Sequence, residues 1–174
     1  MYTEEAVRLI GRFLPRAYSD GADLEAREAM ARAATLAGIG MTNSGLGAIH
    51  ALALGLDHKG FTHCQSLAVL APWVMRFNRL GHEELFARVA EALGEGVQGQ
   101  SPEEASLRSC DAVCRLLLEM QISPYLKDYG IRKDEVRSLA LGAYRVGQRL
   151  LPMNIREISE EDALTIFEEA YGAG

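Results

Sequence analysis

The chain has 174 residues, of which 48% are hydrophobic and 24% charged, and this length and composition are those of one compact globular domain. Its 18 basic and 24 acidic residues give a formal net charge of -6 without any cluster of Lys and Arg, which argues against a nucleic-acid or anionic-membrane partner. Because no leader pattern opens the sequence and no apolar run reaches the ~18 residues needed to span a bilayer, we expect a single domain over residues 1–174 of a soluble, cytoplasmic protein.

Apolar residues at helical spacing dominate the first part of the chain. They predict a first helix over about 3–14, which should stop before Pro15 because proline disfavours helix in the residue before it. A second helix, over about 24–41, is predicted to begin at Asp23, whose carboxylate can cap the free N–H groups of the first turn.

The next predicted helix covers 46–54, with Asn43 or Ser44 as its N-cap. A strongly apolar helix over 63–78 follows it and is expected to lie at the centre of the domain. Pro72 lies inside the predicted helix over 63–78, so we expect a kink or a restart there.

The remaining segments also read as helix. Ser101, Pro102 and Glu104 form the clearest helix start, with a serine cap, a proline in the first turn and a glutamate three residues after the cap. Ser159 is expected to cap the last helix, and no strong strand or internal repeat is evident. The fold class predicted from these patterns is all-α, a bundle of about seven or eight helices, the later ones over 82–93, from Ser101 to about 120, over 133–148 and over 160–171.

His50 and His63 are the candidate metal ligands, because neutral imidazole binds zinc and iron. The turn between their predicted helices can bring the two side chains together. By spacing alone the alternative is favoured, in which both are hydrogen-bonded histidines at the edge of the core, since two histidines do not complete a set of roughly four ligands. A third ligand is not evident: Asp57 and His58 are near in sequence but are predicted to lie on a loop, and Asp20 and Asp111 are plausible only if the fold brings them to the two histidines.

Two weaker sites are considered beside the histidines. Cys110 and Cys114 share one helix face and Cys64 follows His63, but small apolar cysteines inside a core are commoner than thiolate sites. Gly45-Leu46-Gly47 could present N–H groups to an anion, although its spacing fits neither a Rossmann nor a P-loop pattern, and close packing with a turn is favoured.

Six stretches of the sequence together resemble the helical half of the iron-dependent (group III) alcohol dehydrogenases, a dehydroquinate synthase-like family. The resemblance covers essentially the whole chain, and its most specific part runs from Arg27 to His50. The stretches are 24–30, 36–39, 42–53, 70–78, 125–131 and 154–156.

The resemblance implies a function for this half. In that family a nucleotide-binding α/β domain holds NAD(P), and the helical domain holds iron or sometimes zinc through an aspartate and three histidines. His50 and His63 match two of those histidines by motif position. The resemblance therefore implies a metal-side half of an NAD(P)-dependent oxidoreductase, with cofactor supplied only by a missing or separate domain.

The sequence also departs from the family pattern. The aspartate and the first histidine of the ligand set fall before the stretch that this chain matches, Leu54 stands where the family has a further active-site histidine, and Cys64 follows His63. We therefore expect an incomplete ligand set, no activity from the chain alone, a nucleotide-binding partner subunit and a homo-oligomer formed through an apolar face. The alternative is a non-catalytic interaction module that self-associates through the same face, and a third reading is a domain that binds a metal or small ligand without redox chemistry.

Overall fold

The computed structural model describes residues 2–172, and within them the secondary structure is helical with no β-strand. The all-α prediction and the predicted number of helices are confirmed. Three 3₁₀ segments, Leu54–Lys59, Leu126–Tyr129 and Leu151–Met153, lie in the connections. The eight α-helices are α1 Tyr2–Ser19, α2 Leu24–Ser44, α3 Ala48–Ala53, α4 His63–Asn78, α5 Glu83–Ala92, α6 Pro102–Glu119, α7 Lys133–Val146 and α8 Glu160–Tyr171.

The chain divides into two compact units, and each is built from two separate segments. Unit 1 combines the segment up to Gly45 with Arg79–Gln121, and it therefore contains α1, α2, α5 and α6. Unit 2 combines Leu46–Asn78 with the segment from Ile122 onward, and it contains α3, α4, α7 and α8. Both candidate metal ligands belong to unit 2.

In unit 1, α1 packs against α2 and α5 packs against α6. The contact between α1 and α2 buries Leu9 and Phe13 against small side chains of α2 such as Ala29 and Ala33. Small residues on one helix let the larger side chains of its neighbour fill the space between the two axes.

The predicted end of α1 is wrong, because the helix continues through Pro15 to Ser19. Proline at this position leaves one carbonyl of the preceding turn without its helical N–H donor. The last turn is held by other contacts: the Ser19 hydroxyl donates to the Pro15 carbonyl at 2.8 Å, and Arg16 forms ion pairs with Asp23 and Glu25 at 2.8 and 2.7 Å. Tertiary contacts therefore override the local preference.

The predicted end of α2 is also wrong, because the helix runs to Ser44 instead of stopping near Met41. The turn-forming residues continue the helix by donating from their side chains to carbonyls four residues earlier. Thr42 donates to Gly38, Asn43 to Ile39 and Ser44 to Gly40, at 2.7–3.0 Å. Asn43 and Ser44 consequently belong to α2 and do not cap α3. The Asp23 cap is confirmed, since its carboxylate accepts from the Ala26 N–H at 3.0 Å.

In unit 2, α4 supplies much of the core and has the predicted bounds. Val69, Leu70 and Val74 are fully buried, and the Trp73 indole N–H donates to the Pro124 carbonyl at 2.8 Å. The helix continues through Pro72, so the expected restart does not occur. The capping boxes predicted at Ser101 and Ser159 are both present.

No single helix within residues 2–172 is long and apolar enough to cross a membrane. One bent pair, Leu24–Ser44 with Ala48–Lys59, would meet the requirement by length and composition only.

Candidate metal centre

His50 and His63 lie close together in unit 2. His50 is in the middle of α3 and His63 is the first residue of α4. Their ring centroids are 5.6 Å apart, and the ring planes are inclined by 50°. The connection between the two helices therefore brings both imidazoles to one place, as the spacing in the sequence suggested it could.

The connection between α3 and α4 is a short 3₁₀ segment that ends at a left-handed glycine. The 3₁₀ segment Leu54–Lys59 follows α3 directly and ends at Gly60, which has a φ of 82° and is left-handed. A residue with a side chain is strained at that φ, so glycine suits this position. Thr62 then receives the Gln65 N–H on its hydroxyl at 3.3 Å and supports the first turn of α4.

Close packing against α7 fixes the position of α3 and the 3₁₀ segment. A Cβ added to Gly147 would lie 2.7 Å from the Ala51 carbonyl oxygen, and one added to Gly55 would lie 2.4 Å from the Ala143 Cβ. Contacts this close are possible only where the side chain is absent. His50 is thus carried by a short helix that is locked against its neighbour.

The two imidazoles differ in their surroundings. His50 is half-buried, whereas His63 is exposed. Burial lowers the pKa of His50 below its ordinary value, and the charge of nearby His63 lowers it further. A lowered pKa keeps the His50 imidazole neutral at neutral pH, and only neutral imidazole has a lone pair to donate to a metal ion.

The donor set within the described residues fits part of a metal site. Residues 2–172 contain no group of three or more His, Cys, Asp or Glu side chains placed to hold one ion. Asp57 and His58, considered above as further ligands, are exposed on the 3₁₀ segment, and Asp20 and Asp111 belong to unit 1. Two imidazole nitrogens therefore provide about half of the four ligands that iron or zinc usually takes in a protein.

The weaker candidate sites gain nothing from the structure. Cys110 is buried and Cys114 half-buried on α6 in unit 1, while the exposed Cys64 belongs to unit 2. The N–H of Ala48, which an anion at Gly45-Leu46-Gly47 would need, donates to Asn154 Oδ1 at 3.2 Å.

Asn154, which contacts the helix that carries His50, is a residue that the sequence patterns do not single out. Its amide lies at the start of α3 although it is separated from that helix by about a hundred residues of sequence. The one signal in the sequence was its place in a short stretch, 154–156, that contributes to the family resemblance.

Comparison with protein families identifies relatives along almost the whole chain. The sequence model described as "Fe-containing alcohol dehydrogenase family, C-terminal" matches residues 1–171. The chain is 35% identical over 168 residues to a 1,3-propanediol dehydrogenase of Klebsiella pneumoniae, covering 96% of this chain and 43% of that protein. It is 36% identical over 142 residues to an NAD-dependent methanol dehydrogenase of Bacillus methanolicus, covering 80% and 37% of the two proteins.

Solved structures give the same result. A 1,3-propanediol oxidoreductase matches with a TM-score of 0.88 and 35% identity, covering 96% of this chain and 44% of that one. An alcohol dehydrogenase from Oenococcus oeni matches with a TM-score of 0.89 and 32% identity, covering 97% and 44%. The chain thus spans less than half the length of these relatives.

Proposed function

This chain belongs to the Fe-containing alcohol dehydrogenase family as its C-terminal helical domain, and from that premise we propose that it is the metal-side half of an iron-dependent alcohol dehydrogenase-like oxidoreductase. The observation that carries the proposal is the 5.6 Å separation of the His50 and His63 rings. These are the two residues that match ligand histidines of the family by motif position.

In this proposal each histidine donates one imidazole nitrogen to the same ion. The chemistry that a bound iron or zinc ion supplies in such a site is polarisation of an alcohol or carbonyl oxygen. The half-buried His50, neutral at neutral pH, binds without first losing a proton. The exposed His63 at the start of α4 completes the part of the site that these residues contribute.

The rest of the site is proposed to come from a nucleotide-binding partner chain, with the assembled protein acting in the cytoplasm. Two ligands are too few to hold a catalytic ion tightly, and the described residues offer no third. They also contain no β-strand, whereas a dinucleotide-binding unit is built from strands, a glycine-rich turn and a helix. The partner therefore has to supply both further metal ligands and the NAD(P) site.

Metal uptake tests the proposal directly. The purified chain is equilibrated with zinc or, without oxygen, with ferrous iron, and bound metal is measured by elemental analysis. We expect weak uptake that His63→Ala or His50→Ala abolishes. His82→Ala is the matched control, because His82 precedes α5 and makes no side-chain capping bond. Uptake that is absent, or that survives both substitutions, would remove the basis of the proposal.

Activity provides the second test. The chain alone is expected to show no NAD(P)-dependent alcohol oxidation with added iron or zinc, because hydride transfer needs a nicotinamide site. Adding the separately expressed nucleotide-binding half of a relative is expected to produce turnover that His63→Ala lowers. Turnover by the chain alone would refute the requirement for a partner.

A second candidate is a non-catalytic interaction module that self-associates. Large apolar side chains such as Leu24, Leu118 and Val146 are 57–80% exposed, and such residues favour association. In either reading we expect a homo-oligomer, and a monomer by light scattering would contradict that expectation. Site-specific metal uptake separates the two candidates, since the interaction module does not need it.

A further inference from the structure

Four hydrogen bonds converge on the side chain of Asn154. Its Oδ1 accepts from the Ala48 N–H at 3.2 Å and from Asn78 Nδ2 at 3.0 Å. Its Nδ2 donates to Asn78 Oδ1 and to the Arg156 carbonyl, both at 2.7 Å. The carboxamide thus uses both of its donor protons and both acceptor positions on its oxygen.

The orientation of this carboxamide follows from its backbone partners. The Ala48 N–H can only donate and the Arg156 carbonyl can only accept, so the oxygen of Asn154 must face α3 and its NH₂ group must face residue 156. Asn78, which is buried, then pairs with it in a reciprocal amide–amide contact.

Asn154 therefore connects the two helices that carry the histidines. Ala48 begins α3 and lies two residues before His50, while Asn78 is the last residue of α4, whose first residue is His63. His63 lies fifteen positions before Asn78 on the same helix, or about 22 Å away at 1.5 Å per residue. A small tilt of α4 about its Asn78 end therefore moves the His63 imidazole, at the other end of the helix, farther than it moves Asn78.

Two further contacts support this connection. Arg156 donates to the Phe77 carbonyl at 2.8 Å, and its guanidinium lies 3.8 Å from the centre of the Phe77 ring, so the same loop holds the last turn of α4 a second time. Gly47 leaves room for the amide, because a Cβ there would lie 3.0 Å from Asn154 Oδ1. The bonding capacity of the side chain, the empty position at Gly47 and the Arg156 contact all favour one fixed geometry.

We propose that Asn154 is the positioning residue of the two-histidine site, holding the start of α3 to the end of α4 and thereby setting the separation of His50 and His63. The hydrogen bonds of its side chain go to Ala48, Asn78 and Arg156 and not to an imidazole, so its role here is not that of a ligand. The geometric claim stands by itself, and only its consequence for metal affinity rests on the proposed function.

The geometric claim is tested by NMR on the metal-free chain. The 5.6 Å ring separation should give a nuclear Overhauser contact between the His50 and His63 ring protons, with each ring assigned from a single His→Ala variant. We expect the contact in the native chain and its loss in Asn154→Ala. A folded Asn154→Ala protein that keeps the contact overturns the proposal, and a native chain without it overturns the geometry on which the proposal depends.

The consequence is tested with zinc alone as the probe. Removal of a residue that orients metal ligands typically lowers affinity about 10- to 100-fold, and we expect a loss of about 10-fold, at the lower end of that range, for Asn154→Ala at a temperature where the protein remains folded. Unchanged affinity in that variant, with binding that still depends on His50 and His63, would contradict a positioning role.

Matched variants separate positioning from stability. Gly47→Ala should reproduce Asn154→Ala by displacing the amide, and Asn78→Ala should have an effect that does not add to it in the double variant. Ser159→Ala removes the α8 cap in the same unit without touching Asn154, so it should lower stability and leave zinc affinity and the ring contact unchanged. If Ser159→Ala weakens both equally, Asn154 acts only through stability.

The two proposals fail in distinguishable ways. A native chain that shows the ring contact but takes up no zinc refutes the metal function, and the NMR comparison still decides the role of Asn154. If Asn154→Ala does not fold, Gly47→Ala and Asn78→Ala carry the same comparison, because each removes one side of the connection.

Discussion

At Gly147 the absence of a side chain is a requirement of packing. Its φ of -80° suits any residue, so the need for glycine is not conformational. An added Cβ would lie 2.7 Å from the carbonyl oxygen and 2.9 Å from the Cβ of Ala51. We predict that Gly147→Ala lowers the free energy of unfolding by about 1–3 kcal/mol, the usual cost of overpacking, as measured by urea denaturation.

The matched control for Gly147, the C-cap of α7, is Gly142 inside that helix. A Cβ there would meet nothing within 4 Å. Gly142→Ala should therefore raise stability by about 0.5–1 kcal/mol through better helix propensity. If the two substitutions had the same effect, the close approach at Gly147 would not be what limits that position.

The ion pair between Lys59 and Glu135 links the 3₁₀ segment after α3 to α7. Lys59 Nζ lies 2.6 Å from Glu135 Oε1, and both side chains are largely shielded from water. The hydrogen bond from Lys59 is the main cause of a lowered Glu135 pKa, and a second comes from the Arg132 N–H. The charged carboxylate is therefore favoured in the folded protein.

This pair predicts a specific pH dependence of stability. Because the folded pKa of Glu135 lies below the ordinary value of 4.5, its contribution is complete above that value and is lost as pH falls through the lowered folded pKa. Glu135→Gln should thus be less stable than the native chain at pH 7, with the difference closing as pH falls below 4.5. Urea denaturation at several pH values measures this difference, and Glu168→Gln, at an exposed position of α8, controls for the loss of a surface charge. A difference that is constant with pH would contradict the assignment.

Among the helices, α1 retains a proline in its interior at a cost in stability. Proline in a helix interior is about 3 kcal/mol less favourable than alanine, although contacts of the half-buried ring offset part of this. We predict that Pro15→Ala raises the free energy of unfolding by about 1 kcal/mol or more. Pro102→Ala is the control, since Pro102 occupies the first turn of α6, where no helical N–H bond is lost. Destabilisation by Pro15→Ala would mean that ring packing outweighs the missing hydrogen bond.

Helices governed by local signals were predictable from the sequence. The bounds of α4 and α8 were predicted as they are, and the caps at Ser101 and Ser159 follow from serine with an acidic residue three positions on. The end of α2 was not predictable in this way, because residues typical of turns can also bond the preceding helical turn, as Ser44 does.

The candidate site was predictable only in part. His50 and His63 could be paired because the turn between them is short, whereas the predicted cap of α3, Asn43 or Ser44, was wrong. The group that caps α3 is Asn154 Oδ1, and a contact between residues so distant in sequence depends on the tertiary fold. The need for glycine at position 147 was not predictable for the same reason, since Ala51, the residue that an added Cβ would meet, lies on another helix.

At the scale of the whole molecule, the connectivity of the two units is interleaved. The chain passes from one unit to the other after Gly45, after Asn78 and after Gln121. No single cut in the chain therefore yields either unit alone with all of its segments. If unit 1 unfolded, unit 2 would have to hold Arg79–Gln121 as a disordered loop, and closing such a loop costs entropy.

We therefore predict that both units unfold in one cooperative transition. The only tryptophan in the sequence, Trp73, belongs to unit 2 and is 8% exposed, so its fluorescence reports that unit, whereas circular dichroism reports both. Gly11→Ala perturbs unit 1 only, because its Cβ would lie 2.8 Å from the Leu93 carbonyl oxygen. In urea it should lower the midpoints of the fluorescence and dichroism transitions equally, while Gly38→Ala, which meets nothing within 4 Å, should lower neither. A fluorescence midpoint that stays in place while the dichroism curve splits would contradict this prediction, because it would show that unit 2 remains folded while unit 1 is unfolded.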